Sequence, residues 1–201
     1  ILVSTSFWMN KDIKTILRKQ ILSARKILPE ETWARRNELI CQNVIKFIAK
    51  GGYKTVHSFL PIERNKEVNT WLIIKNLLKR GERVVISITD FEKEQMSHFY
   101  YEEGIKFRLN KMKIPEPVNA MTASIQEVEL VLIPLLAADK SGNRIGYGKG
   151  YYDRLLNPIK DNVVKVGLNL GTLFDAFSFS EQHDVKLDYC ITPFEIIECK
   201  P

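Results

Sequence analysis

The sequence has little of what staples a fold or anchors it in a membrane. It carries three cysteines in 201 residues, Cys41, Cys190 and Cys199. That odd set without CxxC spacing indicates neither a disulfide framework nor a cysteine-built zinc site. The three histidines, His57, His98 and His183, stand far apart, and none has a serine or cysteine at a spacing that would announce a nucleophilic triad. No apolar run approaches the ~20 residues needed to cross a bilayer; the longest, 130–138, contains Pro134. There is no internal repeat and no low-complexity linker. Residues 1–8 lack the positive flank of a secretory signal, and Met9-Asn-Lys-Asp reads as a natural start. Residues 1–8 are therefore expected to be a non-native extension, and residues 9–201 a single domain, cytoplasmic and monomeric.

The residues that are present suit a globular core. The chain is 45% hydrophobic and 27% charged, which excludes global disorder. The net charge of +6 has a location: residues 1–50 hold 10 Lys/Arg against 4 Asp/Glu, and the rest is balanced. A basic first segment can face solvent, nucleic acid, an anionic surface or a polyanionic small ligand, and composition does not separate these.

Apolar residues at helical spacing from Ile13 to Leu28 predict a first amphipathic helix, and Pro29-Glu-Glu opens a second that Gly51-Gly52 stops. Residues 55–60, 68–80 and 83–88 then read as a βαβ unit. Strand-like pieces follow at 97–101 and 105–109, and Ile114-Pro-Glu-Pro117 reads as a surface loop that blocks regular pairing. Residues 129–136 are the most apolar strand and are expected to be central. After a glycine-rich stretch come a helix at 151–156 and strands at 163–168 and 185–191. The fold class is α/β.

The densest chemical signal is Asn143-Arg-Ile-Gly-Tyr-Gly-Lys-Gly-Tyr-Tyr-Asp-Arg154, between the central strand and a helix. Gly146, Gly148 and Gly150 allow close backbone approach, while Arg144, Lys149 and Arg154 offset anionic charge, so the segment reads as a phosphate site. It is not Walker A, because Asn143 and Gly150 stand where Gly and Ser/Thr belong, and Tyr151 breaks the dinucleotide fingerprint. The competing reading is a glycine-rich turn with structural arginines. Asp153 is either a first-turn helix acid or a Mg²⁺ ligand, and Asp188 is the candidate second oxygen donor. Glu67 reads locally as an N-terminal helix acid. Lys14 and Arg18, four apart, share one helix face that can point at a phosphate or at solvent. Trp33 and Trp71 read as core.

These pieces together resemble the 5-formyltetrahydrofolate cyclo-ligase family over most of residues 11–192. The resemblance rests on Lys14-Thr-Ile-Leu-Arg18, Phe59-Leu-Pro61 with Glu67-Val-Asn-Thr70, Ile114-Pro-Glu-Pro117, and Ile133 to Asp139 leading into Gly142 to Arg154. It implies a three-layer fold, a mostly parallel mixed sheet with helices on both faces, of the NagB/RpiA/CoA-transferase-like kind. It also implies conversion of 5-formyltetrahydrofolate to 5,10-methenyltetrahydrofolate with ATP and Mg²⁺.

By the same resemblance, ATP contacts fall on Lys14, Arg18, Arg144, Ile145, Gly146, Tyr147, Gly148, Lys149, Gly150, Tyr151 and Tyr152. Arg144, Lys149 and Tyr151 carry the catalytic role; Leu60, Glu67, Pro115 and Tyr152 contact the folate; Asp153 and Asp188 hold the metal. The chain departs from the family pattern at Tyr147, where many relatives have Arg, at Ala138 in place of Phe, and at 169–172, where a common Gln is absent. Loss of one charge-assisted phosphate contact would cost about 1.5–3 kcal/mol. The alternatives are a related kinase or ligase acting on another small molecule, and a basic nucleic-acid-binding module.

Overall fold

The most apolar stretch of the sequence occupies the centre of the fold. In a computed structural model, residues 2–110, 114–159, 161–179 and 184–200 are described, with side chains from residue 13 onward. His183 and the side chains of residues 1–8 lie outside that description. The strands are β1 (Thr55–His57), β2 (Arg83–Asp90), β3 (Gln95–Tyr101), β4 (Lys106–Leu109), β5 (Pro115–Val118), β6 (Leu130–Pro134), β7 (Ala137–Ala138), β8 (Arg144–Ile145), β9 (Val164–Leu168), β10 (Tyr189–Ile191) and β11 (Ile196–Glu198). The main sheet has seven strands in the order β11-β10-β9-β6-β1-β2-β3, with β6 fourth. Leu130, Val131, Leu132 and Ile133 are fully buried, as a strand covered on both faces requires. Pairings from β2 through β1, β6 and β9 to β10 are parallel, and the outer strands β3 and β11 add antiparallel.

The described residues form four α-helices: α1 (Leu2–Lys26), α2 (Glu30–Gly51), α3 (Thr70–Lys79) and α4 (Tyr151–Leu156). The apolar stripe of α2, through Ile40, Val44 and Ile48, packs with Ile73, Ile74 and Leu77 of α3 on one face of the sheet. Leu155 and Leu156 of α4 pack with Val85, Val131 and Ile133 on the other. The result is one three-layer α/β domain. Trp33 and Trp71 both pack against the first of these cores, as their helical spacing predicted. Gly52 ends α2 in the left-handed region at φ 72°, its N–H bonding the Ile48 carbonyl.

One expectation is corrected. The Pro-Glu-Pro segment is not an unpaired loop, because β5 pairs antiparallel with β4 in the register Phe107↔Pro117 and Leu109↔Pro115. The two prolines are two residues apart, so their nitrogens point to the same side, and Glu116 and Val118 are left to make the ladder on the other. A two-stranded ribbon tolerates this because the proline side needs no donor.

Candidate active site

The chain leaves β1 through α3 on one face of the sheet and leaves β6 through α4 on the other, so the carboxyl ends of these adjacent strands diverge. Such a switch point opens a crevice. A cavity of about 350 Å³ occupies it, lined at its strand ends by Phe59 and Leu60 beyond β1, Ser87 and Thr89 on β2, and Pro134 closing β6.

One end of the cavity is the glycine-rich loop. The β7–β8 hairpin that introduces it is tied by Asp139, a fully buried carboxylate. Its oxygens accept from the backbone N–H of Ser141, Asn143 and Phe177 and from Asn143 Nδ2, all within 3.0 Å. Gly142 in this turn has φ 82°, and a Cβ there would stand 2.5 Å from the Leu187 carbonyl oxygen, so both conformation and space require glycine.

Arg144 is almost wholly buried and donates to the Val185 carbonyl and to Asp153 Oδ1. Arg18 reaches over from α1 and donates to the Gly146 carbonyl at 3.0 Å, crossing so near Gly148 that a Cβ there would meet its guanidinium at 3.2 Å. Lys14, one turn earlier, pairs with Asp184 at 3.2 Å. Lys149 is exposed on the loop.

The other end is the segment after β1. A short 3-10 turn at Glu63–Asn65 returns the chain so that Glu67, 4% exposed, points into the cavity with Oε2 accepting from Ile62 N at 2.7 Å. Trp33 Nε1 donates to the carbonyls of Lys66 and Glu67 and holds this return in place. Burial pushes the Glu67 carboxyl above the usual carboxylate range, opposed in part by the Ile62 N–H, Tyr147 and Arg25. The local reading of Glu67 as a helix acid does not hold: Asn69 caps α3, its side chain accepting from Trp71 N.

Tyr147 turns inward from the loop. Its buried hydroxyl lies beside Glu67 and Asn65 outside hydrogen-bonding geometry, and burial and the Glu67 charge push its pKa up. Tyr152, also lifted by burial and Glu67, sits edge-on to His57 with 6.1 Å between ring centroids.

Of the residues singled out in the sequence, Lys14, Arg18, Leu60, Glu67, Arg144, Asp153 and the run 146–152 line this one cavity. Three do not. Ile145 is buried among Leu17, Ile21 and Phe179 beneath the loop. Pro115 belongs to β5, and its neighbour Ile114 is the residue at the cavity wall. Asp188 stands at the amino end of β10, the opposite end of the sheet, where it accepts from Lys165 N and pairs with Lys165 Nζ at 2.9 Å. A parallel sheet sends the residue that starts a strand away from the crevice, which is why Asp188 and Asp153 do not converge. Asp184 is the aspartate of that segment that lines the cavity. Ser87, Thr89, Phe91, Met96, Arg64 and Asn65 were missed: no motif marks them, and the β2–β3 hairpin and the 3-10 turn after β1 bring them in.

The pattern of residues matches known proteins over nearly its whole length. The model of the 5-formyltetrahydrofolate cyclo-ligase family matches residues 10–193. A mouse protein named 5-formyltetrahydrofolate cyclo-ligase is 30% identical over 188 residues, covering 86% of this chain and 89% of that one. The protein of the same name from Saccharomyces cerevisiae is 29% identical over 200 residues, covering 89% and 93%. Among solved structures, a 5,10-methenyltetrahydrofolate synthetase from Aquifex aeolicus superposes with a TM-score of 0.77 at 24% identity, covering 94% of each chain. The Mycoplasma pneumoniae protein described likewise superposes at 0.70, covering 90% of this chain and 98% of the other.

Proposed function

The chain belongs to the 5-formyltetrahydrofolate cyclo-ligase family, and from that premise we propose that it converts 5-formyltetrahydrofolate to 5,10-methenyltetrahydrofolate at the expense of ATP, in the cavity between the glycine-rich loop and Glu67. The observation that carries this reading is the union of two unlike ends in one cavity. Arg18, Arg144, Lys149 and glycine backbone suit a polyphosphate, and a buried carboxylate suits the N–H groups of a flat heterocycle.

The reaction needs both. A formyl amide oxygen is a poor leaving group, and phosphorylation converts it to a good one. In the proposed course the formyl oxygen attacks the γ-phosphorus and ADP departs with the bridging oxygen, nitrogen 10 adds to the activated carbon, and phosphate departs with its C–O electron pair. Alignment and charge stabilisation serve such a transfer better than a protein nucleophile does. Arg144 is pre-positioned by its bonds to Asp153 and Val185, so little reorganisation accompanies charge development. Lys149, free to follow the phosphates from the exposed loop, supplies a mobile cation, and Tyr151 closes the wall beside Phe91, 6.0 Å away ring to ring. Glu67 orients the heterocycle. Tyr147, where many relatives place a cation, faces Glu67 and so serves the heterocycle end; Arg18 over Gly148 supplies charge at the loop.

A divalent cation suits Asp153, a hard oxygen donor on the cavity wall. The described residues contain no cluster of three or more His, Cys, Asp or Glu, so phosphate oxygens and water would complete its shell, and it would offset phosphate charge. No described helix is long and apolar enough to cross a membrane. Three buried cysteines without a disulfide support our placing the protein in a reducing cytoplasm, where we take it to act as a monomer.

Mixing the protein with Mg²⁺-ATP and 5-formyltetrahydrofolate is expected to generate the near-ultraviolet absorption of the methenyl product with stoichiometric ADP. Folded protein that yields neither overturns the reading; ADP formation with other small acids but not with the folate favours a related ligase.

A further inference from the structure

No spacing in the sequence pairs Ser87 with a histidine, yet the fold does. His57 on β1, Ser87 on β2 and His98 on β3 form a row across the sheet, on the face that α4 covers. His57 Nε2 lies 2.7 Å from Ser87 Oγ, and Ser87 Oγ lies 2.8 Å from His98 Nδ1. Ser87 lines the cavity together with Lys149, while His57 is fully buried.

Hydrogen bookkeeping gives the row a direction. His57 Nδ1 has no partner, and a proton there would be a buried, unpaired N–H. The proton of neutral His57 therefore sits on Nε2 and is donated to Ser87. Burial, with a smaller contribution from His98, lowers the His57 pKa to about 3 and keeps the ring neutral. Ser87 retains its O–H, which points along the 2.8 Å contact to His98 Nδ1, and one lone pair for a group in the cavity. His98 is partly exposed and its pKa is lowered by burial, so it accepts a proton in passing and releases it readily.

The reaction proposed above leaves one proton unassigned. Nitrogen 10 carries a hydrogen when it adds to the activated carbon, and the product cation does not. We propose, resting on that reading, that Ser87 is a catalytic residue that takes this proton and that His98 is its outlet, with His57 as the residue that positions Ser87. As the new C–N bond forms, the N–H bond breaks toward Ser87 Oγ while the serine's own hydrogen passes to His98 Nδ1. The resulting imidazolium gives its Nε2 hydrogen to solvent, and proton exchange with water, off Nδ1 and onto Nε2, restores the starting tautomer of His98. An aryl amine nitrogen that has just acquired a fourth bond is strongly acidic, so a weakly basic relay suffices. The His57 contact with Tyr152, two residues beyond Gly150, sets the row beside the phosphate end of the cavity, where the formyl carbon reacts.

The test separates phosphorylation from ring closure. With enzyme in excess, ADP and methenyl product are timed in single turnovers for the wild type, Ser87→Ala, Ser87→Thr and His98→Gln, each checked for wild-type ATP affinity by calorimetry. The relay requires ADP to form at the wild-type rate in Ser87→Ala and His98→Gln while product lags at least tenfold, and requires Ser87→Thr, which keeps the hydroxyl, to recover most of the loss. Product keeping pace with ADP in both altered proteins overturns it. So does an equal slowing of ADP and product, which would mean that the row serves only structure or binding. A wild-type protein that forms no methenyl product overturns the proposed function and the relay together, whereas an active wild type with unaffected variants overturns the relay alone.

Discussion

At the glycine-loop end of the cavity, position is imposed on the backbone from outside. Asp139 ties the hairpin with four donors, Arg18 clamps Gly146 from another helix, and the cations Arg144 and Lys149 sit on a chain with positive φ at Gly142, Gly148 and Gly150. At the other end the charged group is itself the buried element. Glu67 is enclosed, bonded by Ile62 N and braced by Trp33, and its carboxyl is pushed up by burial. Under the proposed function, a mobile polyphosphate would meet glycine backbone and exposed charge that can follow it, and a rigid heterocycle would meet a fixed acceptor. The difference teaches that the two ends should fail separately.

The largest effect is expected from Arg144→Ala, which removes the buried cation joining Asp153 to the 184–188 segment; turnover should fall about 10²–10³-fold, measured as the steady-state rate at saturating substrates. Glu67→Gln comes next. It keeps an acceptor for Ile62 N but loses the charge, and the KM for the folate should rise on the order of 10–100-fold, the equivalent of one charge-assisted hydrogen bond, with the KM for ATP unmoved. Lys149→Ala should do the reverse on a smaller scale, about tenfold on the ATP side for one exposed cation. If Glu67→Gln and Lys149→Ala disturb both substrates equally, the two ends are not separate and the comparison breaks.

The smallest and sharpest effect is on stability. An acid whose folded pKa is raised binds more protons folded than unfolded. Its cost is therefore absent below the ordinary Glu value and grows as pH rises toward the raised one. Denaturant unfolding should find Glu67→Gln more stable than wild type at neutral pH, with the gap closing as pH falls. A gap that widens with acid would mean that the carboxylate is stabilised where it sits.

The glycine-rich end was legible because its chemistry is contiguous. Arg144, Lys149 and three glycines fall within a few residues, and the helix expected after them at 151–156 appears at those bounds. Strand 129–136 was legible as central from its unbroken hydrophobicity, although the ladder itself runs only from Leu130 to Pro134. Glu67 was visible as a motif residue, but local signals assigned it to a helix start, since a carboxylate two residues before an Asn cap looks the same whether it faces solvent or a cavity. Asp188 was the candidate the sequence offered, and Asp184 was not considered, because four residues of sequence do not tell which end of a sheet a segment crosses. The β5 ribbon was misjudged because proline frequency was weighed without the parity of its positions.

What the sequence determined alone was what depends on neighbours along the chain: the amphipathic stripes of α1 and α2, the buried strands, the glycines and charges of one loop. The tertiary structure alone decided which distant groups share a space. His57, Ser87 and His98 become neighbours only through the β1–β2 and β2–β3 registers, and Asp184 rather than Asp188 reaches the cavity because strand direction sorts the two to opposite ends. Periodicity is written in one dimension, whereas the meeting of side chains across strands depends on alignment, which no local preference encodes.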